Sequence, residues 1–124
     1  MGIARRIALV LLGAFFIAAG INHFVHAAFY IRIVPPWLPA PGLLVAVSGI
    51  CEALGGAGVL VPATRRIAGI GLIALLVAVF PANVQMALHP QLYGDVGSPT
   101  AFYVRLPLQV VVVAWVWWTC LRSR

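Results

Sequence analysis

Apolar residues run along this chain in four long stretches separated by short polar interruptions, and within each stretch they are continuous rather than alternating. A helix needs about 20 mostly apolar residues to cross a hydrocarbon core of about 30 Å. Ile7 to Ala28, Gly42 to Val61, Ile67 to Leu88 and Thr100 to Leu121 each meet that requirement. Unbroken segments such as Val110 to Ala114 lack the polar alternation of a membrane β-barrel. The pattern predicts an all-α fold, an integral membrane four-helix bundle forming one domain over residues 1–124. The fourth helix is the most constrained. Sixteen residues separate Arg105 from Arg122, about 24 Å of helix, so either both arginines snorkel or the helix begins near Thr100 and holds Arg105 close to an interface. Pro107 then falls in its first turns.

Composition supports the same solvent. The chain of 124 residues is 64% hydrophobic and only 8% charged, against roughly 25% charged residues in a soluble domain. That excludes a water-soluble domain, and it excludes disorder. The net charge of +6 comes from eight arginines with no lysine, set against Glu52 and Asp95. Most of these arginines stand in isolated pairs between apolar runs, not as a basic stripe, so nucleic acid is excluded as a partner and the lipid bilayer is expected.

The arginines also predict orientation. With both termini cytoplasmic, Arg5, Arg6, Arg65, Arg66, Arg122 and Arg124 lie inside, and only Arg32 and Arg105 lie outside. The long connections, Tyr30 to Pro41 and His89 to Pro99, then face outward, and the short Pro62 to Arg66 link makes the second and third spans antiparallel neighbours. Aromatic residues mark the two interfaces, among them Tyr30, Trp37, Tyr93 and Tyr103 outside and Trp115, Trp117 and Trp118 inside. A cleaved signal peptide is the competing reading of the first stretch, since Val25-His26-Ala27 resembles a processing site. However, the run from Ile7 to Ile21 is longer than a usual signal core, and its removal would break the charge pattern.

Helix pairing in lipid relies on close approach at small residues. Gly49, Ala53 and Gly56 form such a row on the second span, and Gly71, Ala74, Ala78 and Ala82 form one on the third, so these two spans are expected to be the tightest pair. Pro81 is expected to kink the third span and to free the Val77 carbonyl for another donor.

Ionisable groups inside a membrane are costly and commonly mark function. Glu52 lies about 14 Å down the second span, near mid-bilayer. Ser48, Cys51, Glu52 and Gly55 share a face by their spacing. Asn22, His23 and His26 lie near the outer end of the first span. Asn83 and Gln85 sit at similar depth on the third, and Arg105 and Gln109 are one turn apart on the fourth. A polar pocket in the outer half of the bundle, above a dry inner half, follows. Its candidate ligand-binding or proton-exchange residues are Glu52, His23, Arg105, Asn22, His26, Asn83 and Gln109. Glu52 acts there either as a proton acceptor or ligand anchor, or as an interhelical bond that fixes register. Alone it would be a neutral donor; beside Arg105 or a protonated histidine it would stay charged.

Other chemistries are poorly supported. His23, His26 and Glu52 are a weak metal set, and no metal is expected. Haem needs facing axial histidines, whereas this pair lies on one helix. Cys51 and Cys120 sit at different depths, and there is no C-x-x-C. No phosphate-cradling loop, nucleophile elbow or acid pair completes a catalytic constellation, so an enzyme acting alone is not expected and no catalytic residue is named.

Several segments carry a resemblance. Asn22-His23-Phe24, Phe29-Tyr30, Ile33-Val34-Pro35-Pro36-Trp37-Leu38-Pro39, Ser48-Gly49 with Glu52 and Gly55-Gly56, Phe80-Pro81-Ala82-Asn83 and Arg105-Leu106-Pro107 with Gln109 together resemble the DoxX family of small membrane proteins. The resemblance implies a four-helix bundle with redox associations: the DoxD type is linked to thiosulfate:quinone oxidoreductase, and MauE proteins to disulfide formation. The absence of paired cysteines departs from a thiol-relay role. The expectation is a bacterial inner-membrane accessory or quinone-interacting subunit, with quinone as the cofactor and a redox subunit as partner. The alternatives are a non-catalytic scaffold or assembly factor, and a small-molecule transporter, which would need a homo-oligomer to build a path.

Overall fold

The computed structural model describes residues 1–122; Arg124, counted above for orientation, lies outside them. The chain forms α1 (Ile3–Val25), α2 (Ala27–Ile33), α3 (Pro41–Leu60), α4 (Arg65–Leu88), a 3-10 turn (Pro90–Tyr93) and α5 (Pro99–Val116), which continues as a π-helical turn (Trp117–Leu121). Among the described residues there is no strand. Four helices are long and apolar enough to cross a membrane: α1, α3, α4, and α5 with its π turn. They correspond to the four apolar runs, giving the all-α architecture of a multi-pass membrane protein.

The boundaries differ where local chemistry intervenes. α1 stops at Val25, short of Ala28, because the chain breaks at His26 (φ −118°, ψ 45°) and restarts as α2. The His26 N–H still donates to the Asn22 carbonyl at 2.9 Å. The helices carrying Arg5, Arg6, Arg65 and Arg66 begin before or at these residues, so the arginines belong to first turns rather than to flanking loops. Their positions have a local use. Arg5 Nη2 donates to the Arg122 carbonyl at 2.6 Å, Arg66 Nη1 to the Leu121 carbonyl at 3.0 Å, and Arg65 Nε to the Val59 carbonyl at 2.8 Å. Carbonyls at a helix C-terminus lack intrahelical donors, and these guanidiniums supply them for α5 and α3. At the other end of α5, the Ser98 hydroxyl accepts from the Ala101 N–H and Pro99 opens the helix.

The tightest pair is α1 with α3, which corrects the expectation that the second and third spans pack closest. A Cβ on Gly20 would stand 2.5 Å from the Gly49 carbonyl oxygen and 2.6 Å from the Ala53 nitrogen. One on Gly56 would stand 2.7 Å from the Gly13 carbonyl oxygen. The row Gly49, Ala53, Gly56 was read correctly as an interface, but its partner is the Gly13 and Gly20 face of α1. The other row faces elsewhere: Gly71 has nothing within 4 Å of a built Cβ, and Ala74 and Ala78 are exposed. α3 meets α4 through Gly55 against Leu72 and Gly58 against Ala68.

Two apolar clusters frame the bundle. Leu9, Leu12, Phe16, Val59, Leu72, Leu76, Val116 and Cys120 fill the half nearest the paired arginines. Met86, Ala87, Tyr93 and Phe102 form a smaller cap at the loop end. There Arg32 bonds the Leu92 carbonyl, pairs with Asp95 at 3.2 Å and lies over the Tyr93 ring, tying α2 to the second long loop.

Candidate functional site: a polar cavity between the two clusters

The break at His26 positions the first wall of the site. Because α2 turns away from the axis of α1, Tyr30 comes back over the end of α1. Asn22 Nδ2 donates to the Tyr30 hydroxyl at 2.8 Å, and Asn22 Oδ1 accepts from His26 Nδ1 at 2.6 Å. The Tyr30 ring then stacks on His23 with centroids 4.0 Å apart and planes at 16°. Asn22 and His26 are thus brackets for Tyr30; neither lines the cavity, and His26 is exposed.

The cavity measures about 410 Å³, within the range of small-molecule pockets. Its polar lining is His23 from α1, Tyr30 from α2, Ser48 and Glu52 from α3, Asn83 from α4 and Arg105 from α5. Ile33, Val34, Pro35 and Leu38 line it from the α2–α3 connection, and Leu75, Ala78 and Val79 from α4. All four spans contribute, as the depth of their polar residues predicted. The cluster around Leu12, Phe16 and Leu72 leaves the other half of the bundle packed.

Hydrogen placement decides the electrostatics. His23 Nδ1 lies 2.8 Å from the Ala19 carbonyl oxygen and 3.1 Å from Glu52 Oε2. A carbonyl only accepts, so Nδ1 carries the hydrogen and donates it to Ala19. Glu52 Oε2 is close to that nitrogen yet off the N–H direction, and it is buried without a hydrogen-bond partner. The short N···O distance records proximity, not a formed hydrogen bond. His23 Nε2, left with a lone pair, is 3.5 Å from the Ser48 hydroxyl. Nε2 and the Glu52 carboxyl group therefore lie side by side on the cavity wall.

Arg105 is separate from this pair. The half-buried guanidinium lines the cavity but makes no hydrogen bond or ion pair among the described residues. Glu52 pairs with His23, not with Arg105. Gln109, one turn on, turns to α4: its amide nitrogen bonds the Leu76 carbonyl, and its oxygen accepts from Asn83 Nδ2 at 2.7 Å. This donor reaches the Leu76 carbonyl, one residue before the Val77 carbonyl that Pro81 was expected to free, and α4 runs through Pro81 to Leu88. Gln109 lines a smaller groove with Val77 and Phe80.

Of the seven candidates, His23, Glu52, Asn83 and Arg105 meet at the cavity, and Asn22, His26 and Gln109 hold its walls. Tyr30 and Ser48 were not among them. Tyr30 lies seven residues after His23, two turns on an unbroken helix, and only the break shows that the rings stack. Cys51, expected on the Glu52 face, is exposed. Among the described residues no group of three His, Cys, Asp or Glu side chains could hold a metal ion.

The fold and site define a four-span membrane bundle with a polar cavity near one end. Residues 12–120 match a family model described as a domain of unknown function, DUF8561, and the chain belongs to that family. No curated protein and no solved structure matches it.

Proposed function

We propose that this protein is a DoxX-like, bacterial inner-membrane accessory or quinone-interacting subunit of a membrane redox system. The DoxX reading rests on the sequence segments described above. The site reading rests on one observation: His23 and Glu52, 3.1 Å apart, and the guanidinium of Arg105, which has no ion pair among the described residues, share a largely apolar cavity. A quinone presents oxygen acceptors on an apolar ring. Arg105 would donate to one such oxygen, while His23 and Glu52 would hold or move a proton at another. The redox chemistry is supplied by the quinone and a partner subunit; this chain's residues bind, orient and exclude water. The arginine-rich end is placed in the cytoplasm by the positive-inside rule.

A scaffold or assembly role is favoured by a different observation, the backbone contact of α1 and α3, which would hold the bundle without any ligand. Transport is disfavoured by the packed cluster below the cavity. Thermal unfolding with a short-tailed quinone separates the first two. The redox reading expects a rise in Tm that Glu52→Gln and His23→Ala each reduce; no rise with any quinone would leave the scaffold.

A further inference from the structure

The bundle has a second charged feature, independent of the cavity and of the redox reading. Arg5 and Arg66 start different spans, yet their guanidiniums bond successive carbonyls, those of Arg122 and Leu121. Two cations from opposite sides of the sequence are thereby held at one point. Arg6, Arg65 and Arg122 lie at the same end. Neither acidic side chain of the chain is there: Glu52 is in mid-span and Asp95 is beyond α4, at the other end. Main-chain carbonyls offset only part of this charge. Moreover, Arg5 Nε is buried and has no acceptor among the described residues. Among the described residues no acidic side chain offsets this charge, which leaves the arginine cluster open to an anion from the surroundings. Such an anion needs to be rich in acceptor oxygens and able to sit beside apolar surface, because Ile3, Ile7 and Ile67 flank the arginines and are 74%, 53% and 72% exposed.

We infer that this end of the bundle binds the headgroup of an anionic phospholipid from the surrounding leaflet, with the phosphodiester on Arg5 and Arg66 and the acyl chains along Ile3, Ile7 and Ile67. Basic pockets between membrane helices recognise anionic headgroups in this way, and planar guanidiniums suit phosphate oxygens. The source of the phosphate is the bilayer, since the flanking surface is apolar.

The test uses the purified full-length chain in neutral detergent, with thermal unfolding and native mass spectrometry read together. Phosphatidylglycerol is expected to raise Tm and to remain bound, whereas phosphatidylcholine and inorganic phosphate do neither. The Arg5→Gln/Arg66→Gln double variant is expected to bind phosphatidylglycerol at least tenfold more weakly. Should that variant fail to fold, Arg66→Gln alone decides, because it removes one of the two phosphate ligands and leaves the Arg5 bond to Arg122 in place; a weakened phosphatidylglycerol response supports the site. Equal responses to the two lipids, a response reproduced by inorganic phosphate, or undiminished binding in the variant that folds would overturn it.

Discussion

His23 and Glu52 stand 3.1 Å apart, Nδ1 to Oε2, but the hydrogen on that nitrogen goes to the Ala19 carbonyl, and the carboxylate oxygen is left without a bond. A pair built only to lock two helices would place the hydrogen between the two side chains. Here the helix backbone fixes the imidazole, and the carboxylate stays available to a molecule in the cavity.

That arrangement predicts a mild stability effect for Glu52→Gln. Since Oε2 makes no hydrogen bond, unfolding in detergent should change by less than about 1 kcal/mol. A loss of about 3 kcal/mol or more, the usual cost of breaking a buried ion pair, would instead assign Glu52 to structural locking.

The contact between α1 and α3 predicts a sharp contrast among glycines. Gly20→Ala puts a methyl group against the Gly49 carbonyl and the Ala53 nitrogen, and backbone cannot yield as a side chain can. It should destabilise by roughly 1 to 3 kcal/mol. Gly71→Ala meets open space and should be neutral or stabilising by up to about 1 kcal/mol. Denaturant titration of the two variants checks both signs.

Gln109 predicts a role in stability rather than in binding. Gln109→Leu removes the donor from the Leu76 carbonyl and the acceptor from Asn83. A cost of about 1 to 2 kcal/mol is expected, with quinone affinity changed less than by Arg105→Gln. The same unfolding and binding assays measure both.

Orientation is tested on a chain with Cys51 and Cys120 replaced by alanine. A cysteine introduced at Gly94, in the loop between α4 and α5, should react with a membrane-impermeant maleimide added outside intact cells, and one at Gly2 should not. The reverse labelling would invert the topology.

The spans were readable in the sequence because membrane insertion sums hydropathy over about 20 residues, and no single side chain decides it. Pairing was less readable. Small residues occur on every span, so the row at Gly49, Ala53 and Gly56 identified an interface without naming its partner. The seven-residue spacing of Gly13 and Gly20 on α1, equal to that of Gly49 and Gly56, was the available signal. Depth alone brought His23, Glu52, Asn83 and Arg105 to one level, and the structure brings them to one cavity. Rotation about each helix axis separated the others: Cys51 turns outward, and Gln109 turns to α4. Tyr30 required the break at His26, which hydropathy does not record and across which Asn22 bonds both His26 and Tyr30.

The central claim is that the cavity binds a quinone headgroup through Glu52, His23 and Arg105. Its most direct test is the dissociation constant of a quinone for the purified chain in lipid nanodiscs, compared with Glu52→Gln, His23→Ala and Arg105→Gln. The account predicts saturable binding to the native chain and at least a tenfold loss, about 1.4 kcal/mol, in each variant that retains its fold. Saturable binding unchanged in all three, or no binding to the native chain, would contradict it.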